Sequence, residues 1–86
     1  DKELAQRKKA AADQEAAKRK AEDEKVEKAR AENCGRARQA KATLDSGVRM
    51  SRTNAAGERE IYTDEIRAAE SKRIQSVIDV DCKTQG

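Results

Sequence analysis

The first thirty-three residues of this chain contain almost nothing from which a hydrophobic core could be built. Nineteen of them are charged, and the only apolar side chains larger than alanine are Leu4 and Val26. Burial of apolar side chains is the main favourable term in folding, so this stretch cannot form a globular unit by itself. From residue 34 onward the chain has twelve such side chains, namely Cys34, Leu44, Val48, Met50, Ile61, Tyr62, Ile66, Ile74, Val77, Ile78, Val80 and Cys82. The sequence therefore predicts that any packed core lies within residues 34–82.

Residues 1–33 consist mainly of Ala, Lys, Glu, Arg and Gln, which are strong helix formers, and neither Gly nor Pro interrupts them. Acid-to-base pairs spaced four residues apart support such a helix by about 0.2 to 0.5 kcal/mol each. These pairs are Glu3 with Arg7, Glu15 with Arg19, Glu24 with Lys28, and Glu32 with Arg36. We expect a long helix that stands in water.

A coiled coil is the alternative for this helix, and it needs apolar residues at the a and d positions of three or four successive heptads. Neither Leu4 nor Ala5 begins such a series, because steps of seven from them lead to Lys18 and Arg19. We therefore expect an extended helix that acts as a linker or spacer. Weak self-association, or binding of a protein partner through its alanine-rich stripes, stays open.

The first helix is expected to continue beyond Cys34 and through a single Gly35, which costs roughly 1 kcal/mol relative to alanine. It should end near Leu44, because the next three residues are Asp, Ser and Gly. Gly47 suits the left-handed conformation that commonly follows a helix.

A β-ribbon is predicted for residues 48–62. Apolar and polar side chains alternate over residues 48–52, as they do in a half-buried strand. The sequence Asn-Ala-Ala-Gly at 54–57 suits a type I turn followed by a glycine bulge. The resulting register pairs Arg52 with Glu60 and Met50 with Tyr62 on one face.

A second helix is predicted from Thr63, a suitable N-cap, to about Asp81. Its apolar stripe consists of Ile66, Ala69, Ile74, Val77 and Ile78. This stripe should pack against the end of the first helix, because the ribbon reverses the chain. The predicted fold class is mainly α, with a long charged N-terminal helix continuing into an antiparallel helical hairpin connected by a short β-ribbon. The predicted organisation is an extended helix over 1–33, a small domain over 34–82 and a tail over 83–86.

The hairpin would bring Cys82 back beside Cys34. A disulfide between them would close a loop of about fifty residues and stabilise the fold by roughly 4 kcal/mol on the chain-entropy estimate. Such a bond fits an oxidising compartment. Two unpaired thiols in a cytosolic helical protein are the alternative, because sequence does not show the distance between the two residues.

The chain has no histidine, which excludes Ser-His and Cys-His catalysis and most zinc and iron sites. Asp79 and Asp81 diverge on a helix and do not form a joint site. The sequence therefore predicts no catalytic residue, no metal site and no cofactor. It does not identify a small-molecule ligand. Cys34 lies near Arg36 and Arg38, whose charges favour a reactive thiolate, so a thiol redox protein is one alternative.

The net charge of +3 and the pI near 9.0 raise the possibility of a nucleic-acid partner. Ten basic and nine acidic residues alternate over 1–33, and ten and eight over 34–86, whereas a nucleic-acid binder more often shows a stripe of one sign. The basic clusters at 7–9 and 18–20 are what supports binding to nucleic acid or another anionic surface.

No run of eighteen apolar residues is present, so the sequence predicts no transmembrane helix. The chain starts with Asp1 rather than methionine. We expect a processed protein whose signal peptide has been removed, or a fragment of a longer one.

Four stretches carry a resemblance to a known family: Cys-Gly-Arg-Ala-Arg at 34–38, Thr-Leu-Asp-Ser-Gly at 43–47, Arg-Thr-Asn-Ala-Ala-Gly-Glu-Arg-Glu at 52–60 and Asp-Val-Asp-Cys at 79–82. Together they resemble the C-terminal region of small proteobacterial envelope proteins of a domain-of-unknown-function family. The short N-terminal domain of that family has no counterpart here. The resemblance implies secretion to the periplasm and a Cys34–Cys82 disulfide, and it implies no activity.

Taken together, these patterns predict a non-catalytic envelope module with a structural or protein-interaction role. The expected contact surface for a partner is formed by Met50, Ile61 and Tyr62, where apolar groups are left over from the helix pair.

Overall fold

The computed structural model describes residues 1–83 and confirms the predicted fold class. The elements are α1 (Lys2–Asp45), β1 (Ser51–Thr53), β2 (Arg59–Ile61) and α2 (Asp64–Asp81). Of the predicted tail at 83–86, residues 84–86 lie outside the described residues. The molecule measures 71 × 33 × 14 Å, because α1 extends far beyond its contacts with α2.

Helix α1 has two parts with different surroundings. The carboxylate of Asp1 caps its start by accepting hydrogen bonds from the N–H groups of Glu3 and Leu4, at 2.6 and 3.2 Å. Residues 2–29 are exposed throughout, and Arg30 is the first partly buried residue. We call residues 2–29 the arm and residues 30–82 the head. At 1.5 Å per residue the arm is about 42 Å long.

The end of α1 follows the prediction. Ser46 is its C-cap, and Gly47 has a φ of 78°, the left-handed region in which glycine is favoured. The N–H of Gly47 donates to the carbonyl of Leu44 at 3.3 Å. The chain therefore leaves the helix where the Asp-Ser-Gly sequence indicates.

The ribbon has the predicted register, with Arg52 opposite Glu60, and the Tyr62 N–H donates to the Met50 carbonyl at 2.9 Å. In the turn, the Asn54 side-chain oxygen accepts from the N–H groups of Ala56 and Glu58. Gly57 has a φ of 82°, as the predicted glycine bulge requires.

One prediction about the ribbon is wrong. The strand expected over residues 48–52 begins only at Ser51. In this register the residue opposite Val48 would be Asp64, which already belongs to α2, so no strand is present there to pair with. The carbonyl of Val48 instead accepts a hydrogen bond from the side chain of Arg67 on α2. Val48 itself is half exposed.

Helix α2 begins at the predicted cap, where the Thr63 hydroxyl accepts from the Ile66 N–H at 3.2 Å. It packs along the last third of α1. The core consists of Ala37, Leu44 and Ile74, with Ala40, Met50, Tyr62, Val77 and Ile78 packed partly buried around them. Ala69, expected in the apolar stripe, is exposed. Three buried apolar residues make a small core, so other bonds must contribute to the stability of the head.

Candidate functional site

The predicted disulfide forms at the point where the arm meets the head. Cys34 on α1 and Cys82 at the end of α2 are bonded, with their Cα atoms 5.0 Å apart. Cys34 is 1% exposed and Cys82 is 9% exposed. Both cysteines of the chain are thereby used, and the bond joins the far end of α2 to the last third of α1.

Polar contacts lie beside the disulfide. The Asp81 carboxylate accepts a hydrogen bond from the Asn33 side-chain amide, and its other oxygen lies 3.9 Å from Nε of Arg30. Contacts of α1 with α2 therefore begin at Arg30, one helical turn before Cys34. The division of the chain at residue 34 stays a prediction.

Arg67 joins the two helices at the opposite end of the head. Its guanidinium donates to the carbonyl of Leu44 at 3.3 Å and to that of Val48. The last turn of α1 has no basic residue of its own, so Arg67 supplies the positive charge that the C-terminal end of a helix dipole favours. Sequence reasoning missed this role, because it depends on two segments that are twenty residues apart in the chain.

An ion-pair cluster ties the inner face of the ribbon to α2. Nε of Arg52 donates to Glu60 at 2.8 Å, and another nitrogen of the same guanidinium lies 3.9 Å from Glu70. Glu70 also accepts from Arg73 at 2.9 Å. The Arg52 guanidinium stands over the ring of Tyr62, 5.9 Å from its centre.

These pairings displace the pKa values of their members. The hydrogen bond from Arg73 lowers the pKa of Glu70, and the charges of Arg73 and Arg52 lower it further. The hydrogen bond to Glu60 raises the pKa of Arg52, and the one to Glu70 raises the pKa of Arg73. Each shift is the one expected of a structural ion pair, so the cluster needs no catalytic role to explain it.

The three residues of the predicted contact surface do not share one face. Met50 and Tyr62 lie on the inner face of the ribbon and pack against the core. Ile61 lies on the other face and is 51% exposed. The alternation of side chains along a strand separates neighbours such as Ile61 and Tyr62.

The other side of the ribbon presents two arginines and one exposed aliphatic side chain. We call Arg49, Ser51, Arg59 and Ile61 the outer ribbon face; together with Met50 they line one shallow depression. Nε of Arg59 donates to the Ser51 hydroxyl at 3.1 Å, which holds the guanidinium across the ribbon. Sequence reasoning found Ile61 here but missed the two arginines, although strand alternation from the predicted register places Arg59 and Ile61 on the same side.

The remaining predicted features lie on the arm and on α2. The basic clusters at 7–9 and 18–20 are exposed, and the surface around Arg19 and Lys20 is also lined by Asp23, Glu24 and Glu27. Within residues 1–83 no three acidic or cysteine side chains gather where a metal ion could bind. None of the helices formed by these residues is long and apolar enough to cross a membrane.

The fold thus defines the molecule as a disulfide-closed helix–ribbon–helix head on an extended helical arm. A comparison of the chain with protein-family models, with curated proteins and with solved structures finds no match. The resemblance to envelope proteins therefore stays a prediction from the sequence.

Proposed function

We propose that the protein is a non-catalytic structural and protein-interaction module of a bacterial envelope, in which the arm is a rigid spacer that carries the head. The arm is the observation that supports this role. Twenty-eight consecutive helical residues, 2–29, are exposed, and Leu4 and Val26 are about half exposed. A helix without an apolar stripe gains little by packing against its own chain, so the arm stays extended. A continuous helix in that state holds its two ends at a constant distance.

The disulfide supports the proposed compartment. Such bonds form and persist in the periplasm and in secreted proteins and are rare in the reducing cytosol. The small core of the head benefits from a covalent link, as small secreted domains commonly do. The predicted resemblance to periplasmic proteins agrees with this placement.

The two alternative functions have less support. A thiol redox protein needs an accessible sulfur, whereas Cys34 is 1% exposed. A nucleic-acid binder needs basic residues gathered on one surface, whereas acidic side chains lie among the basic ones of the arm.

Small-angle X-ray scattering tests the spacer. The Cα radius of gyration of 21.9 Å is expected for the purified monomer, measured in high salt and extrapolated to zero concentration. A variant with glycine at Ala10, Ala11, Ala16 and Ala17 loses about 1 kcal/mol of helix propensity at each position. The softened arm should shorten, and the radius of gyration should fall. A control with glutamine at the same four positions keeps the helix propensity and should keep the radius.

A radius unchanged by the four glycines, or a compact native protein, would count against a spacer.

The compartment is tested separately by alkylating thiols in intact cells that make the native protein and then measuring its mass. The expected product carries no alkyl group. A doubly alkylated product would place the protein in a reducing compartment.

A further inference from the structure

The outer ribbon face carries charge that nothing in the head neutralises. Of the two acidic residues of the ribbon, Glu60 pairs with Arg52 on the inner face, and Glu58 forms no ion pair with either Arg49 or Arg59. Arg49 and Arg59, in contrast, form no ion pair among residues 1–83. Between them lies Ile61, an aliphatic side chain that is 51% exposed. This arrangement of two cations around one apolar side chain suits a partner with the opposite pattern, two carboxylates around an apolar group.

The arm of the same protein carries a group of opposite charge, two neighbouring carboxylates beside one apolar side chain. Val26 is 49% exposed. Glu22 and Asp23 precede it by four and three residues, so both lie next to it on the helix surface. Neither carboxylate forms an ion pair among residues 1–83. Residues 21–27 contain four acidic side chains and one lysine, so this part of the arm is net negative. We call Glu22, Asp23 and Val26 the arm patch.

We propose that the outer ribbon face of one molecule binds the arm patch of a second copy. Arg49 and Arg59 pair with Glu22 and Asp23, and Ile61 packs on Val26. The inference rests on the proposed function, since it names the partner of the interaction module. Because the two surfaces differ, the association either closes as a two-fold dimer, in which each ribbon binds the arm of the other molecule, or continues from head to arm along a chain of copies.

The structure favours this partner over three others. The patch cannot reach the ribbon of its own chain, because the arm and the first helix of the head are one continuous helix. Two ribbons placed face to face would bring arginines against arginines. An anionic membrane is usually bound by clusters of about four to eight basic residues, and this face has two.

Sedimentation analysis of the purified protein with its disulfide intact tests the contact. The mass is expected to rise with concentration from 9.5 kDa to that of two copies or more, and to fall back in about 1 M salt, where charges are screened within ~3 Å. Two charge-reversed variants, Arg49→Glu with Arg59→Glu and Glu22→Lys with Asp23→Lys, should each associate about tenfold more weakly or less, because like charges then face each other. Mixing the two should restore association, since the reversed surfaces complement one another.

A matched control reverses two other exposed cations of the head that form no ion pair among the described residues, Arg38→Glu with Lys72→Glu. It changes the net charge as much as the ribbon variant and should associate like the native protein. The variant in the arm leaves the head untouched, so a folding defect of the ribbon variant does not remove the test.

The proposal is overturned if the native protein stays at 9.5 kDa at every concentration, or if mixing fails to restore association. It is also overturned if a monomeric protein sediments with vesicles of equal parts phosphatidylcholine and phosphatidylglycerol, which would assign the face to a lipid surface. An extended monomer in scattering would leave the spacer intact and remove only the contact between copies.

Discussion

At the scale of single residues, Arg67 connects α2 to the end of α1 and to the segment that follows it. Its two hydrogen bonds end α1 and hold the chain that leaves it, and both go to backbone carbonyls. Hydrogen bonds made by charged groups contribute about 1.5 to 3 kcal/mol, more than neutral ones. Arg67 therefore adds to the cap formed by Ser46 and Gly47 and fixes the segment between α1 and the ribbon.

We expect Arg67→Met to lower the free energy of unfolding by about 2 to 3 kcal/mol, because it removes both charged hydrogen bonds but keeps the aliphatic stem. Urea unfolding with the disulfide intact measures this. The matched control is Lys72→Met on the same helix, whose exposed side chain forms no ion pair among residues 1–83. Equal midpoints for the two variants would show that the carbonyls of Leu44 and Val48 do not depend on Arg67.

Glu70 makes stability depend on pH in the acid range. Its pKa in the folded protein lies below the ordinary value of 4.5, because Arg73 and Arg52 favour the carboxylate. The stabilisation is therefore complete above about pH 4.5 and is lost as the pH falls through the lower value of the folded state.

Glu70→Gln should accordingly be less stable than the native protein at neutral pH, and the two should converge as the pH falls below the folded-state pKa of Glu70, where the native carboxyl is protonated. Thermal unfolding followed by circular dichroism across this range measures the difference. In a protein that already carries Arg73→Gln, the further change Glu70→Gln should cost less stability at neutral pH, since Arg73 is the main cause of the lowered pKa of Glu70. If the native protein and Glu70→Gln differ in stability by the same amount at every pH, the acid dependence does not come from Glu70.

At the scale of elements, α2 is the helix whose burial decides whether the head forms. Ile74 is 5% exposed at the centre of the core, between Ala37 and Leu44. Two turns of helix away, Val80 is 56% exposed on the same element. The two positions allow burial to be compared within one helix.

We expect Ile74→Ala to cost about 2 to 3 kcal/mol, the lower part of the usual range, because most of the apolar residues packed around this small core are only partly buried and can relax. Val80→Ala should change stability by about 0.5 kcal/mol or less, as exposed substitutions usually do. Chemical unfolding of both variants with the disulfide intact measures the contrast. Similar losses at the two positions would mean that α2 is not held by the core.

At the scale of the whole molecule, the disulfide offsets the small core. It joins residues 48 positions apart, for which the chain-entropy estimate is about 4 kcal/mol. The whole stability of a small domain is of this order. The head and the arm therefore depend on different physics, the head on a covalent link and the arm on helix propensity.

The variant Cys34→Ser with Cys82→Ser should lose the fold of the head near body temperature while part of the helical signal of α1 remains. Tyr62 is the single aromatic residue and packs against the core, so its fluorescence reports the head alone. The reduced native protein should behave in the same way. A head that unfolds at the native temperature without the bond would show that the core is sufficient.

The sequence by itself determined the elements, because their causes are local. Helix propensity and missing breakers predicted α1, the Asn-Ala-Ala-Gly turn set the register of Arg52 with Glu60, and Thr63 marked the start of α2. What only the tertiary structure decided are the relations between distant segments. The distance between Cys34 and Cys82 is one of them. These outcomes depend on how two helices lie against each other, which local patterns do not specify.

The same division applies to the candidate surfaces. An apolar excess in the ribbon predicted contacts for Met50, Ile61 and Tyr62, but only packing showed that Met50 and Tyr62 belong to the core. Arg67 reaches α1 only after the hairpin has closed. A charged side chain is long and flexible, so its partner is chosen by the fold around it and not by its neighbours in the chain.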